Sequence, residues 1–149
     1  KLGDFGLARS IGIPIKHYTA EVVTMWYRAP ELIMRSQTYS SAIDLWSVGT
    51  VLAEMVIKEP LFRGDSDIDQ IHRILNILGK PSDEDLEKMP YFNKSYFTYQ
   101  FQPEDEILEK LKRAGESGVS LLLGLLDYVP GRRFCAREAM QHKFFKQNE

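Results

Sequence analysis

The chain begins with Lys1-Leu2-Gly3-Asp4-Phe5-Gly6-Leu7-Ala8-Arg9, and further along it reads Trp26-Tyr27-Arg28-Ala29-Pro30-Glu31. In the first stretch, the carboxylate of Asp4 offers the hard oxygen ligand that Mg²⁺ prefers, and Gly6 allows the backbone to turn sharply behind it. An isolated Asp-Phe-Gly triplet is compatible with an ordinary turn. The second stretch follows across a threonine-bearing loop, and this pairing of two motifs in order indicates a functional segment rather than a chance turn.

Composition and charge predict one globular unit spanning residues 1–149. Hydrophobic residues make up 44% of the chain and charged residues 27%, which is typical of a domain with one core. The net charge of -2 provides no field that would attract nucleic acid or an anionic membrane, so we expect neither partner. The longest apolar run, 119–126, is too short to span a bilayer. The single cysteine, Cys135, excludes an intramolecular disulfide and indicates a reducing compartment, the nucleus and cytoplasm.

Two Ser-x-x-Asp patterns predict helix starts. Ser41-Ala42-Ile43-Asp44 has the form of a capping box, and Ser66-Asp67-Ile68-Asp69 has the same form. The apolar residues after the first pattern fall on nearly every side, which predicts a helix buried within the domain. Those after the second pattern lie on one face as far as Leu78, and Gly79 with Pro81 predicts the end of an amphipathic helix.

The second half of the chain is predicted to be an aromatic loop followed by helices. Between Lys88 and Pro103 the helical periodicity disappears and aromatic residues accumulate, which predicts an ordered loop packed on the body. Further helices are expected at 104–113, 117–128 and 136–142. No flexible linker or internal repeat interrupts the sequence, so the predicted fold is a single, mainly α unit.

Three further stretches narrow the interpretation. They are Gly12-Ile13-Pro14-Ile15, the run from Tyr18 to Arg28, and the run from Gly64 to Ile71. Together with the Asp-Phe-Gly and Ala-Pro-Glu motifs, they resemble the cell-division type of cyclin-dependent protein kinase, over essentially the whole chain. The resemblance implies the C-terminal lobe of the protein-kinase fold beginning at Asp-Phe-Gly, with the activation segment at 4–31 and the helices of the lobe at 41–149.

The same resemblance implies an activity and residue roles. It implies a cyclin-dependent kinase that transfers the γ-phosphoryl group of ATP, with Mg²⁺, to Ser/Thr-Pro sites in proteins during cell-cycle control. Asp4 would be a metal ligand, Thr19 would be phosphorylated by an activating kinase, and Arg9 would pair with that phosphate. Thr24 would support the catalytic base. The pocket that accepts the substrate proline would be formed by Val22, Val23 and Arg28. The alternative is that Val22 and Val23 are only a short strand or a core contact.

The resemblance also implies structural anchors and an adaptor surface. Glu31 and Arg133 would form a buried ion pair between the activation segment and the lower body. Asp44 has two interpretations, as the acid of the helix capping box and as an anchor for the backbone of the catalytic loop. A Cks-type adaptor would bind the start of the second helix, on Asp65, Asp67, Asp69 and Gln70. The alternative is that this charged first turn is only a solvated face that suits the helix dipole.

The sequence contains neither a Gly-x-Gly-x-x-Gly loop nor a His-Arg-Asp loop. We therefore interpret the chain as part of such an enzyme, inactive when isolated. The alternative is a truncated kinase that serves as a non-catalytic interaction module for an adaptor or substrate. The coding sequence upstream of Lys1 would separate the two hypotheses, because an open frame that contains both missing motifs favours the enzyme.

Overall fold

The computed structural model of this chain describes residues 3–8, 25–36, 40–98 and 102–146. Within these ranges it is helical and has no strand, as the mainly α prediction requires. None of the helices described is both long and apolar enough to cross a membrane. The α-helices are α1 (Pro30–Ile33), α2 (Ala42–Ile57), α3 (Asp67–Leu78), α4 (Asp83–Glu87), α5 (Asp105–Leu111), α6 (Gly115–Leu125), α7 (Ala136–Met140) and α8 (Lys143–Lys146). Short 3₁₀ turns occur at Phe5–Leu7, Lys94–Thr98 and Lys112–Ala114.

Helix α2 forms the centre of the core and packs against α5 and α6. Trp46, in the first turns of α2, is fully buried. Its ring stacks on that of Phe62, with centroids 5.9 Å apart. Gly49 allows α6 to approach closely, because a Cβ atom at this position would lie 2.9 Å from Leu126 Cδ2. A side chain there would push the two helices apart.

Two predictions for α2 are wrong. Ser41 already has helical dihedral angles and its side chain makes no capping hydrogen bond, so Asp44 is not the acid of a capping box. The Ser40 hydroxyl instead accepts from the backbone N–H of Ala42 at 3.2 Å. The helix is also not buried on every side: Met55 is 64% exposed, and Val48 and Val51 are exposed on the same side. The described neighbours of α2 cover only its opposite side.

The start, the apolar face and the end predicted for α3 are confirmed, but the capping box is only half formed, since the Asp69 carboxylate accepts from the backbone N–H of Asp65 instead of Ser66. The Ser66 hydroxyl accepts from the backbone N–H of Asp69 at 3.2 Å, which satisfies one of the free donors of the first turn. The helix buries one face through Ile71, Ile74 and Leu75. It ends at Gly79, whose φ of 80° is favourable for glycine and unfavourable for residues with a Cβ atom.

The helices predicted in the second half are present, with shifted ends. Helix α6 stops at Leu125, earlier than predicted, because the Asp127 carboxylate accepts from the backbone N–H of Val129 at 2.8 Å and closes a local turn. Helix α4 was not predicted. Its start is marked by Ser82, whose hydroxyl accepts from the backbone N–H of Asp85 at 3.1 Å.

The described part of the aromatic loop packs on the body, as predicted. Phe92 is buried, and its ring stacks on that of Phe97, with centroids 5.3 Å apart. It also packs edge to face with the ring of Tyr128, with centroids 6.5 Å apart. The loop is not free of helical structure, since it contains the 3₁₀ turn Lys94–Thr98. Tyr99 and Phe101 lie outside the described residues.

Candidate functional site

The Asp-Phe-Gly motif forms a tight turn with Asp4 at its start. Asp4 adopts a left-handed conformation, with φ 54° and ψ 78°, and its Oδ1 accepts from the backbone N–H of Gly6 at 3.2 Å. The carboxylate is exposed at the surface. No group of three or more potential ligands that could hold a metal ion occurs in the described parts of the chain. The Asp4 carboxylate alone is an oxygen ligand of the type that Mg²⁺ takes in phosphate sites, where one or two carboxylates act together with phosphate oxygens.

The segment that begins at Trp26 is attached to the loop before α3. Trp26 Nε1 donates to the carbonyl oxygen of Gly64 at 3.0 Å, and the Arg63 guanidinium lies over the indole ring, 5.6 Å from its centroid. Gln70 joins the same contact, since its Nε2 donates to the carbonyl oxygen of Trp26 at 3.3 Å and its Oε1 accepts from the Gly64 N–H at 2.8 Å. These hydrogen bonds join the segment at Trp26 to the loop and first turn of α3, which are distant in the sequence.

Gln70 was predicted to bind an adaptor, and the structure contradicts this. Its side chain is completely buried, and both ends of the amide are used by the backbone of Trp26 and Gly64. A Cβ atom at Gly64 would lie 2.4 Å from the Cα of Gln70, so the two backbones can approach this closely only with glycine there. Gln70 is a structural residue that the sequence pattern placed on the wrong face.

The next residue of the segment is attached to the central helix. The Tyr27 hydroxyl donates to Glu54 Oε2 at 2.7 Å, and the Ser47 hydroxyl donates to the carbonyl oxygen of Tyr27 at 3.0 Å. The bond to Glu54 is the main cause that raises the pKa of Tyr27, with burial as the second. Both partners lie on α2, so the position of the segment depends on the helix that forms the core.

The segment ends at an ion pair between Glu31 and Arg133, as predicted. Arg133 Nη1 donates to Glu31 Oε1 at 2.8 Å, and Arg133 Nη2 donates to Glu31 Oε2 at 3.2 Å. The Glu31 side chain is 1% exposed and that of Arg133 is 0% exposed. The guanidinium also donates to the carbonyl oxygens of Ala42, at 2.7 Å, and Asp127, at 3.1 Å. It lies over the ring of Trp46, 5.2 Å from the centroid. Its donors are therefore paired inside the core.

The carboxylates predicted for adaptor binding lie near the start of α3. Asp69 Oδ2 accepts from the backbone N–H of Asp65 at 3.0 Å, and its other oxygen is 3.6 Å from Arg73 Nε. Asp67 is 3.9 Å from the guanidinium of Arg35, in a pair that remains largely exposed. Asp65 itself is exposed. These three side chains are reachable from solvent, whereas Gln70 is not.

The remaining predicted site residues divide into two groups. Arg28 is partly exposed in the turn after Met25, and its backbone N–H donates to the carbonyl oxygen of Met25 at 2.9 Å. Asp44 is exposed, and its role as an anchor for a catalytic loop stays a prediction. The other group lies outside the described residues and consists of Arg9, Thr19, Val22, Val23 and Thr24.

Sequence reasoning missed several residues that position the segment. It did not single out Trp26, Tyr27 or Glu54 for this role. It also missed Arg132, which bridges Asp85 at 2.6 Å and Asp127 at 3.0 Å outside the segment. For Trp26 and Tyr27 a signal existed, because the polar end of a tryptophan or tyrosine usually has a hydrogen-bond partner when the ring is buried. For Glu54 no comparable signal exists, because a glutamate within a helix is usually solvated.

The comparison with known families agrees with this geometry. A model of the family described as protein kinase domain matches residues 1–145 of the chain. The match extends from the Asp4 turn, through the anchored segment and the core helices, into α8. Because it covers nearly the whole chain and the described helices form a mainly α lobe, this chain belongs to the protein kinase domain family and has the architecture of the C-terminal lobe of that fold.

Proposed function

We propose that this chain is the C-terminal part of a cyclin-dependent, proline-directed serine/threonine kinase. Protein kinase domains transfer the terminal phosphoryl group of ATP to protein substrates. The single observation that supports this proposal best is the anchoring of residues 26–31. The segment is held at the loop before α3, on α2 and at Arg133, so it forms a rigid end for an activation segment that receives substrate.

The proposed chemistry divides between metal and substrate binding. Asp4 would hold Mg²⁺, and the metal supplies neutralisation of the phosphate charge. Its turn is fixed by the bond to Gly6, which keeps the carboxylate oriented. Arg28, with Val22 and Val23, would accept the substrate proline, and Thr24 would hold the catalytic base. The backbone bond of Arg28 to Met25 supports this role, since it fixes the turn on which the guanidinium is carried.

Regulation is proposed at the loop before the anchored segment. An activating kinase would phosphorylate Thr19, and Arg9 would pair with the phosphate, which adds about -1.5 to -2 charges. A cyclin and a Cks-type adaptor are the proposed partners in the nucleus and cytoplasm, with Asp65, Asp67 and Asp69 on the adaptor surface. The exposure of these carboxylates supports the adaptor proposal.

The test uses the natural gene product that contains this chain, assayed with and without cyclin. A peptide with a Ser-Pro site and its Ser-Ala counterpart distinguish proline direction. We expect phosphate transfer to the Ser-Pro peptide only, a loss of about 10²-fold or more in Asp4→Asn, and no change in the control Asp83→Asn on the exposed start of α4. Equal use of both peptides would contradict proline direction, and full activity of Thr19→Ala after treatment with the activating kinase would contradict the switch. An inactive product that still binds the adaptor would favour the interaction module.

A further inference from the structure

A groove lies between the end of α3, α5 and the outer side of α6, away from Asp4 and from the anchored segment. Its volume is about 570 Å³, which is within the range of about 300–1,000 Å³ found for binding pockets. The walls are mostly aliphatic. The main apolar lining residues are Leu78, Leu108, Leu111, Val119, Leu122 and Leu123.

The α6 side of the groove is an apolar stripe. Val119, Leu122, Leu123 and Leu126 follow one another at the i, i+3, i+4 and i+7 spacing of one helix face. Leu122 and Leu126 are buried, whereas Leu123 is 59% exposed. In helix-in-groove recognition, a second helix lays its own apolar face along a partly exposed apolar stripe of this kind.

The charges at the rim determine which kind of helix fits. Asp105, Glu109 and Lys112 line the groove with the apolar residues. Lys112 Nζ lies 2.5 Å from Glu109 Oε1, so these two charges compensate each other. Asp105 makes no ion pair with any residue in the described part of the chain, which leaves the rim with one uncompensated negative charge.

We propose that this groove binds an amphipathic α-helix of a partner protein that carries a basic residue beside its apolar face. The apolar side chains of that helix cover Val119 and Leu123, and its lysine or arginine lies opposite Asp105. The groove is formed by α3, α5 and α6, all on the body of the lobe, so binding there leaves the Asp4 turn and residues 26–31 uncovered.

The test measures binding of fluorescein-labelled model helices to this chain by anisotropy. The probe is a designed amphipathic leucine/lysine peptide, compared with a scrambled peptide of the same composition and with a leucine/glutamate peptide of the same pattern. We expect binding of the patterned lysine peptide, and weakening by about tenfold or more in Leu123→Gln, because apolar contact area is lost and no charge is added. Val119→Gln is the second variant and should act in the same direction.

The matched control is Met55→Gln, since Met55 is as exposed as Leu123 but lies on α2, away from the groove lining. It should change binding by less than about twofold, the range of a neutral surface change. Asp105→Lys should weaken the lysine peptide by about twofold to fivefold and favour the glutamate peptide. Equal effects of Met55→Gln and Leu123→Gln, or equal binding of the scrambled peptide, would overturn the proposal. So would self-association of the chain that Leu123→Gln abolishes, because the occupant would then be a second copy.

Discussion

The substitution Glu31→Gln removes the counter-charge of a guanidinium that has no access to solvent. Two charge-assisted bonds of 2.8 and 3.2 Å join Arg133 to Glu31, and neither side chain is more than 1% exposed. Each such bond contributes about 1.5–3 kcal/mol, and a glutamine amide replaces one acceptor by a donor that faces the guanidinium. We expect a loss of about 3–5 kcal/mol in the free energy of unfolding, as for other buried pairs that lose one partner.

Urea unfolding followed by circular dichroism measures this loss, within a double-mutant cycle that includes Arg133→Met. The Arg133→Met variant also leaves the carbonyl oxygens of Ala42 and Asp127 without their donor, so it should cost at least as much as Glu31→Gln. The double variant should cost clearly less than the sum, because no isolated charge remains in the core. The exposed pair of Glu84 and Lys88 supplies the control, and Glu84→Gln should leave the unfolding midpoint unchanged. Additive single effects, or a Glu31→Gln midpoint equal to that of Glu84→Gln, would refute the reasoning.

Three further predictions concern buried polar groups and one backbone position. Gln70→Leu should lower the free energy of unfolding, measured in urea, by about 2–4 kcal/mol, because two buried backbone groups lose their hydrogen-bond partner. The matched control is Gln141→Leu at an exposed position. Equal unfolding midpoints for the two variants would contradict the structural role of Gln70. Gly79→Ala should destabilise the folded state by about 1–3 kcal/mol through the positive φ alone, since nothing lies within 4 Å of the added Cβ atom. Thermal melting measures this loss, and the control Gly131→Ala should not show it. Burial, with the charge of Glu31 as the second cause, raises the pKa of Tyr91 from 10.0 to about 12. The folded state therefore disfavours the phenolate, and the stability due to this group is present below pH 10.0 and lost between pH 10.0 and about 12. Tyr91→Phe should flatten that part of the stability profile, and an unchanged profile would contradict the assignment.

The two Ser-x-x-Asp patterns illustrate how far local sequence could predict the fold. At Ser66 the capping bond forms as the pattern predicts. At Ser41 it does not, because the backbone is already helical there and Ser40 takes over the cap. A capping pattern specifies which side chains could bond, but the direction from which the chain enters the helix decides which one does. That direction depends on packing around Ala42, whose carbonyl oxygen is held by Arg133.

For the candidate site residues too, the sequence could predict some contacts, and others depend on tertiary packing. The pair of Glu31 and Arg133 could be predicted because the resemblance carried both residues, although they are 102 positions apart. Gln70 was misassigned because it stands among acidic residues in a first turn, and the pattern of charges says nothing about which way one neutral amide points. Its burial became visible only when Trp26 and Gly64 were found beside it. The groove on α6 was likewise hidden, since an apolar stripe in a sequence is the same whether the core covers all of it or only part.

The amino-acid sequence by itself determined the membership in the kinase family, the mainly α class and the chemistry that Asp4 offers, because these depend on residue types in a fixed order and on local periodicity. The tertiary structure alone decided which polar groups are buried in pairs, how residues 26–31 are attached to the body, and which side of each helix stays exposed. The physical reason is that burial and hydrogen-bond partners arise only when segments distant in the sequence pack together. An unpaired polar side chain costs free energy only once this packing removes it from water.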